Sequence, residues 1–366
     1  MDKLLIVSWE QFGYHTDNYM YCKYLSKNYK IKLICYDEDL ERIEPFENVE
    51  VIYVKKIAGN KLSRLKFIFT CFKEIKGSKF KCVFIRYFRG CSVLKRILKG
   101  PNYIVDIRTG SVDYREDIRE AYNKKMAKEV KIFDTITIIS QGLKEKLNLP
   151  KKSTYILPLG SDTIISEDKI NTKYNYNNMK ILYVGTFFNR NIEKTVEAFG
   201  EFYNRYKEKV EMSYTIAGYS NNENEVLKIK ETIKNLGMEK NIRFLGRVKF
   251  SEVKELLETH NIGVSYIPIN DYYDNQPPTK TFEYIMNGLV CLATNTIENK
   301  KVINERNGIL VDDDINSLIN GFEKVYKNIN NYSKEEIILT LREYSWEYIV
   351  NSILKNIIEN SNNIRR

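Results

Sequence analysis

The chain has 366 residues, of which 43% are hydrophobic and 29% are charged; these values are ordinary for a soluble globular protein, and the length favours two domains. The six cysteines form no C-x-x-C pair and the only histidines are His15 and His260, so we expect neither a disulfide framework nor a metal centre. No apolar run reaches the roughly 18 residues of a membrane span, and the first residues have too short an apolar core for a signal peptide. We therefore expect a cytoplasmic protein.

The first half alternates short apolar strands with segments of helical spacing. Helical spacing is present at 18–28 and 113–133. The strands are near-continuously apolar and rich in β-branched residues, which is typical of parallel strands covered on both faces. This alternation predicts a doubly wound α/β domain. The predicted strands are residues 3–9, 31–37, 49–55, 82–88, 103–109 and 135–140.

One segment of this half carries the positive charge of the chain. Residues 51–100 contain fourteen Lys and Arg and a single acid, Glu74, while the whole chain has a net charge of +10. A basic block of this kind attracts anions such as acidic lipid headgroups or phosphorylated substrates. No nucleic-acid-binding motif accompanies it, so we expect no nucleic-acid partner.

Within the basic block, residues 61–81 have the spacing of an amphipathic helix. The spacing is compatible with a core helix that has a solvated basic rim. It is also compatible with a helix that lets the basic segment 55–99 rest on an anionic membrane. The apolar positions that share one face are Leu62, Leu65, Phe69 and Phe72.

A polar, Asn-rich stretch then interrupts the pattern before the alternation restarts. We predict a first domain at 1–165, a linker at 166–179, a second domain at 180–345, and a C-terminal helix at 346–366 that packs back on the first domain. Two similar α/β halves imply a ligand cleft at the carboxyl ends of the strands. The strands predicted in the second half are 180–187, 212–219, 242–248, 262–268, 289–295 and 308–313.

Glycines and cations gather at the carboxyl ends of these later strands. Gly185 and Gly218 each end a strand, and Arg190 follows the first of them near a helix start. Backbone N–H groups, a helix N-terminus and guanidinium groups together suit a diphosphate. Lys280 begins a helix and Glu283 lies about one turn further on, where its carboxylate suits the vicinal hydroxyls of a ribose. Further contacts to the nucleotide are predicted for Arg247 and Thr279.

These pieces resemble the donor domain of GT-B glycosyltransferases, especially the family 4 type, also named glycosyl transferases group 1. The matching stretches are YVGTFFNRN, YTIAGY, IRFLGRV, PPTKTFEYIMNGLVCLATN and NGILVDDD, in the order of the family. The N-terminal VSWEQFGYHTDNYMYCKYLS and the later FDTITIIS resemble the acceptor domain. The resemblance implies two Rossmann-like domains that face a central cleft.

The resemblance also assigns roles to the residues of the second half. Glu283 matches the second glutamate of the family's E-x7-E motif and would bind the ribose. Arg190 and Lys280 would hold the donor diphosphate and stabilise its departure. Asn275 stands where the first glutamate is usual, so a contact to the donor sugar would come from it, from Gln276 or from the neighbouring Asp274. Thr186 replaces an arginine that is common after the first glycine.

In the first half the family's usual histidine is missing, and VDIRTGSVDYRED offers Asp106, Arg108 and Thr109 there. Asp106 is a candidate catalytic residue, and Arg108 is a candidate acceptor contact or part of a structural pair in the cleft. Gly13 either keeps the backbone close to the donor phosphate or acceptor or is a plain turn glycine. His15 is a candidate acceptor contact.

The function that the resemblance implies is a hexosyltransferase of bacterial surface-polysaccharide synthesis. It would move a sugar from a nucleoside-diphosphate donor, with a UDP-sugar favoured, to a lipid-linked glycan, with retention of configuration and no metal. The enzyme would be cytoplasmic or peripheral at the inner face of the membrane. Two alternatives stay open: a GT-B sugar-nucleotide epimerase, and a non-catalytic GT-B partner subunit.

Overall fold

A computed structural model describes residues 1–57, 61–170 and 178–361 of the chain. The chain divides into two compact units. The first comprises Met1–Gly160 and Trp346–Arg366, and the second comprises Ser161–Ser345. The described part of the predicted linker contains a short helix, Glu167–Ile170, and lies in the second unit. The rest of that linker, the last five residues of the predicted C-terminal helix, and residues 58–60 of the basic segment lie outside the described residues.

The first unit is built on a parallel sheet of seven strands. Their order is β3-β2-β1-β4-β5-β6-β7, and every pair of neighbours is parallel. The six predicted strands are confirmed, and β7 is an additional strand. The strands are β1 Lys3–Val7, β2 Lys30–Asp37, β3 Val49–Lys55, β4 Cys82–Arg86, β5 Asn102–Ile107, β6 Thr135–Ile138 and β7 Thr154–Ile156.

Helices connect most of these strands, as is usual for parallel neighbours, whereas residues 38–48 join β2 to β3 without a helix. The described helices before residue 160 are α1 Thr16–Leu25, α2 Lys61–Gly77, α3 Ser92–Ile97, α4 Glu116–Val130 and α5 Gln141–Lys146. The segment that returns to this unit from Trp346 onward adds α14 Trp346–Tyr348 and α15 Lys355–Asn360, which are joined by a π-helical stretch, Ile349–Leu354. Helices α6 to α13 belong to the second unit.

The C-terminal helices complete the core of the first unit. Trp346 is fully buried and meets the ring of Tyr21 edge-on, with 5.9 Å between ring centroids. Gly160 leaves room for the indole, since a Cβ at this position would lie 2.6 Å from an indole carbon. Tyr29 donates a hydrogen bond of 2.7 Å to the Glu359 carboxylate. These contacts tie the last helices to α1 and the adjacent sheet.

Helix α2 packs against the first unit through a different face from the apolar stripe that the sequence predicted. Its buried residues are Ser63, Phe67, Cys71 and Ile75, which recur every four positions. The predicted apolar stripe points elsewhere, because the side chains of Leu62, Leu65 and Phe69 are exposed. The interpretation of that stripe as the core face of α2 is therefore wrong. None of the helices that the structure describes has the length and apolar character needed to span a bilayer.

The second unit contains a parallel sheet of six strands with the order β10-β9-β8-β11-β12-β13. Relative to its own first strand the order is 3-2-1-4-5-6, the arrangement of dinucleotide-binding domains. The order reverses between β8 and β11, and ligands of such sheets bind at that point. The strands are β8 Asn178–Thr186, β9 Glu211–Tyr219, β10 Ile242–Gly246, β11 Ile262–Ser265, β12 Val290–Thr294 and β13 Gly308–Val311.

The helices of this unit follow the predicted alternation. Helix α10 is short and carries both Lys280 and Glu283. Two prolines precede it, and Pro278 occupies the N-cap position with a φ of −73°. The helices are α6 Glu167–Ile170, α7 Glu193–Tyr206, α8 Glu223–Asn235, α9 Phe250–Thr259, α10 Thr279–Met286, α11 Asn299–Val302, α12 Ile315–Asn328 and α13 Lys334–Leu339, with 3-10 turns at Ile329–Asn331 and Arg342–Tyr344.

Candidate functional site

A cavity of about 490 Å³ opens in the second unit at the carboxyl ends of its central strands. It lies where β8 and β11 diverge, since these strands pair only through Ile181 and Leu182. The cavity gathers six of the predicted site residues from four separate stretches of the chain. They are Gly185, Arg190, Gly218, Arg247, Thr279 and Lys280.

The divergence of the two strands is stabilised by a side chain of α10. Beyond the paired residues, the Val184 N–H has no strand partner on that side and donates to the Tyr284 hydroxyl at 2.8 Å. The Tyr284 ring packs over Gly263, where a Cβ would lie 2.2 Å from a ring carbon. A second link joins Thr281 on α10 to Ser265 at the end of β11, with 2.8 Å between the hydroxyls. These contacts hold the first turn of α10 beside the cavity.

The two predicted glycines allow the ends of β8 and β9 to approach closely. Gly185 and Gly218 lie opposite each other in the strand register. A Cβ on Gly218 would lie 1.8 Å from the Gly185 carbonyl oxygen, which is a severe clash. Glycine at 218 therefore leaves the strand ends flat, so that a ligand can approach the backbone.

Each arginine at the cavity rests on a tyrosine ring. The Arg190 guanidinium lies 4.4 Å from the centroid of Tyr273. The Arg247 guanidinium lies 4.7 Å from the centroid of Tyr219. A stacked guanidinium keeps its N–H groups free at its edge, where they can bind a phosphate in bidentate fashion. The rings thus orient both cations without neutralising them.

The loop that carries Arg190 has an unusual backbone. Asn189 and Asn191 on either side adopt left-handed conformations with φ of 55° and 51°, which asparagine tolerates better than most residues. The Arg190 N–H donates to the Phe187 carbonyl at 3.0 Å. The asparagines in NRN therefore shape a tight turn between β8 and α7.

Lys280 and Glu283 form an ion pair on α10, and about 30% of each side chain is exposed. Lys280 lines the cavity, whereas Glu283 lies one turn further along the helix and contacts the cavity through Lys280. Its carboxylate remains accessible to a ligand. The open N–H groups and the dipole of the helix N-terminus add positive potential on the same side.

Asn275 and Gln276 lie in the turn before α10, outside the lining of the cavity as far as the structure describes it. The Gln276 amide donates to the Tyr272 carbonyl at 2.5 Å. Asp274 accepts a hydrogen bond of 2.7 Å from the Ile297 N–H, so this carboxylate already braces the loop after β12. The contact to the donor sugar that was predicted from Asn275, Gln276 or Asp274 therefore stays a prediction.

The residues proposed in the first unit have mainly structural environments. Asp106 is fully buried in β5 and accepts a hydrogen bond of 2.6 Å from Thr137. Arg108 is buried as well, ion-paired with Asp17, and donates to the Leu157 carbonyl at 2.6 Å. Neither side chain is available to a ligand in this geometry, which favours the structural pairing over catalysis or acceptor binding.

Gly13 and His15 begin the loop that leads into α1. Gly13 has a φ of 90°, and a Cβ there would lie 2.2 Å from Ile43, so the residue meets the requirements of a packed turn. Burial, assisted by the positive charge of Arg86, lowers the pKa of His15 to about 4. His15 is therefore neutral at physiological pH and can exchange hydrogen bonds with a hydroxyl group.

The aspartates that follow β13 have different structural roles. Asp313 binds Lys194 at 3.1 Å and also accepts from the Tyr266 hydroxyl. Asp314 caps α12 by accepting from the Ser317 N–H at 2.8 Å. Among the residues that the structure describes, no group of three or more His, Cys, Asp or Glu side chains is placed to hold a metal ion.

Sequence reasoning missed the tyrosines that complete the site. Tyr219 and Tyr273 hold the arginines, Tyr266 lines the cavity, and Tyr284 fixes α10. A signal was present for two of them: Tyr219 directly follows Gly218 at a strand end, and Tyr284 directly follows Glu283.

Comparisons with known proteins agree with this architecture. Residues 178–328 match the family model described as Glycosyl transferases group 1. No curated protein sequence matches the chain.

Among solved structures, a glycosyltransferase from Rickettsia africae is 14% identical over 98% of both chains, with a TM-score of 0.72. Anabaena HepE, solved with UDP and glucose, is 10% identical over 98% of this chain and 100% of its own, with a TM-score of 0.73. The lipopolysaccharide outer core galactosyltransferase WaaB is 12% identical over 100% of both chains, with a TM-score of 0.71. At these identities the likeness shows the fold.

The family match falls within the unit that contains the cavity, and together with the fold it supports a transferase enzyme. The chain thus has the fold of GT-B glycosyltransferases, and residues 178–328 of its second unit are similar to the glycosyl transferases group 1 family.

Proposed function

We propose that the protein transfers a sugar from a nucleoside-diphosphate donor, with a UDP-sugar favoured, to a lipid-linked glycan acceptor in the synthesis of a bacterial surface polysaccharide. One observation carries the donor assignment. The described residues that line the cavity include three cations, Arg190, Arg247 and Lys280, and no carboxylate. A cavity with that charge, glycine-flattened strand ends and a helix N-terminus suits a diphosphate.

The same residues suggest how the reaction would proceed. As the bond between sugar and diphosphate breaks, negative charge accumulates on the leaving phosphate. Arg190, already fixed on Tyr273, would stabilise that charge without having to reorganise, and Lys280 would add a second positive charge beside it. Because none of the described lining residues is a carboxylate that could act as a covalent nucleophile, we assign the rate enhancement to leaving-group stabilisation and substrate positioning, and we propose retention of configuration.

The relatives supply the support for the type of substrate. HepE was solved with UDP and glucose, and WaaB is a galactosyltransferase of the lipopolysaccharide outer core. By analogy we propose a UDP-sugar donor and a role in surface polysaccharide. A lipid-linked acceptor would bring a cytoplasmic enzyme to the inner face of the membrane.

The replacement Glu283→Ala tests the donor site. We expect the affinity for UDP to fall by about 10- to 100-fold, the loss expected for hydrogen bonds to a charged carboxylate. The substitution also frees Lys280 from its ion pair, which by itself would strengthen binding of a diphosphate. A net loss therefore reports the ribose contact, and calorimetric titration with UDP measures it.

The matched control is Glu255→Ala, an exposed glutamate on α9 of the same unit, which should leave UDP affinity unchanged. Unaltered affinity in Glu283→Ala would contradict the proposed ribose contact. Incubation of the wild-type protein with a UDP-sugar alone separates the alternatives. Conversion to an epimeric donor would indicate an epimerase, and binding with neither hydrolysis nor transfer would indicate a non-catalytic subunit.

A further inference from the structure

Helix α2 of the first unit displays large apolar side chains to solvent. Leu62, Leu65 and Phe69 are 68%, 62% and 66% exposed. Single exposed apolar residues are common on proteins, but three on one helix face form an apolar patch, and such patches are typical of interaction surfaces.

The three residues share a face with lysines. At about 100° per residue, Leu62, Leu65 and Phe69 fall within an arc of about 60°. On the same side lie three exposed lysines, Lys66, Lys73 and Lys76. We call these six residues the outward face of α2.

The first unit does not need the outward face for its own stability. The opposite side of the helix already packs into the core. There Phe67 contacts the rings of Trp9, Tyr36 and Phe88, with centroids 4.5 to 6.0 Å apart. The side chains of the outward face therefore contribute little to the core of the first unit.

We propose that the outward face of α2 docks on an anionic lipid bilayer. In this arrangement the helix lies in the plane of the membrane. Leu62, Leu65 and Phe69 enter the boundary between headgroups and acyl chains, and the lysines bind lipid phosphates. The inference deepens the proposed membrane location by naming the surface that contacts the lipid.

Charge complementarity favours lipid as the occupant. The surrounding residues 51–100 contain fourteen Lys and Arg and one acid. That acid, Glu74, lies away from the outward face and binds Lys32 at 2.8 Å. The neighbouring helix α3, which contacts α2, adds the exposed residues Arg96 and Ile97. Protein interfaces are depleted of lysine at their centres, whereas lysines that flank inserted leucines are typical of helices at a lipid interface.

Co-sedimentation of the full-length protein with vesicles tests the proposal. We compare vesicles of phosphatidylcholine with vesicles that also contain phosphatidylglycerol. Wild-type protein should bind the anionic vesicles more tightly, and added salt should weaken this binding. The triple variant K66Q/K73Q/K76Q should bind about a hundredfold more weakly, because each lysine near an anionic surface contributes about fivefold. The double variant L62S/L65S should lose about tenfold.

Matched controls distinguish the contribution of the outward face from the general effect of removing positive charge or exposed hydrophobic surface. K151Q/K152Q/K240Q removes three other exposed lysines, and L227S/L339S removes two other exposed leucines; both should bind like the wild type. Equal binding to both kinds of vesicle, or full binding by L62S/L65S, would overturn the proposal. Self-association in sedimentation velocity without vesicle binding would also overturn it, in favour of a second copy of the chain. The assay contains no donor, so its outcome is independent of the proposed transfer reaction.

Discussion

Asp106 shows how a single buried charge affects the first unit. Its carboxylate has no exposed surface, and the cost of burying the charge raises its pKa to about 6, although the nearby Arg108 acts in the opposite direction. One carboxylate oxygen accepts from Thr137, while the other lies 3.9 Å from Arg108 Nε. Thr137 and Arg108 therefore hold the carboxylate in place, but its charged form is destabilised by burial.

The replacement Asp106→Asn tests this residue. The unfolded chain releases the Asp106 proton near pH 4, whereas the folded chain releases it near pH 6. Between these values the folded state holds more protons, so the contribution of Asp106 lowers the free energy of unfolding of the wild type as the pH rises. The variant lacks that titration. We expect its free energy of unfolding, relative to wild type, to rise by up to about 3 kcal/mol between pH 4 and pH 6 and then to stay constant.

Urea unfolding of both proteins across this pH range measures the difference. His15 and His260, whose pKa values burial lowers to about 4, add an opposite slope to both proteins, and this slope cancels in the comparison. A difference that does not change with pH would contradict the raised pKa. Retained transferase activity in the variant would show that Asp106 is structural.

At the residue scale, the sequence indicated the cations and glycines of the cavity but not their supports. Strand ends can be recognised from apolar runs, so Gly185, Gly218 and Arg190 could be placed. The stacking of Arg190 on Tyr273 joins positions 83 apart along the chain, and no local pattern encodes it. The burial of Asp106 was missed for a similar reason, because the neighbours of β5 cover it on both sides.

The helix that bears Lys280 and Glu283 depends on how it ends. Gly288 follows α10 with a φ of 75°, a conformation that L side chains rarely adopt, and its N–H donates to the Ile285 carbonyl at 2.9 Å. A Cβ there would also lie 2.8 Å from the Cβ of Lys334 and 3.2 Å from its Cα. Glycine is thus required both for the backbone turn and for the contact with α13.

We therefore expect Gly288→Ala to destabilise the protein by more than the roughly 1–2 kcal/mol of left-handed strain alone. The matched control is Gly237→Ala, at the end of α8, where φ is 64° but no atom lies near the added methyl group. Chemical unfolding measures both free energies. UDP affinity should also fall in Gly288→Ala, since α10 carries Glu283, the residue proposed to bind the ribose. Equal losses of stability in the two variants would contradict the role of the α13 contact.

At the element scale, the alternation of strands and helices was predictable because parallel strands are continuous apolar runs. The short elements β7, α3 and α5 have six residues or fewer and give too little periodicity to detect. The orientation of α2 could not be predicted either. The helix has apolar spacing on two faces, and only packing against Trp9 and Phe88 selects the one that is buried.

For the molecule as a whole, the return of the C-terminus to the first unit matters most. Trp346→Ala should remove about 3–5 kcal/mol from the stability of that unit, the usual cost of truncating a buried tryptophan. Hydrogen exchange resolved along the chain should show lost protection in the first unit. Tyr348→Ala, in the same segment but 41% exposed, is the control and should have little effect. Unchanged protection in Trp346→Ala would contradict the anchoring role.

The boundaries of the units illustrate what composition can and cannot reveal. The Asn-rich stretch near residue 170 marks a polar region, but the observed division falls at Gly160, next to Trp346. The division depends on contacts between segments nearly two hundred positions apart, which composition does not report.

The second unit is an insertion in the first, because the chain departs at Gly160 and re-enters at Trp346. During synthesis on the ribosome, every residue of the inserted half therefore emerges before Trp346, Ile349, Val350 and Leu354, which belong to the core of the other half. The second unit can fold while translation continues. The first unit cannot complete its core until the segment from Trp346 onward has been synthesised, and a nascent chain that stops before Trp346 would leave this unit exposed to chaperones and proteases.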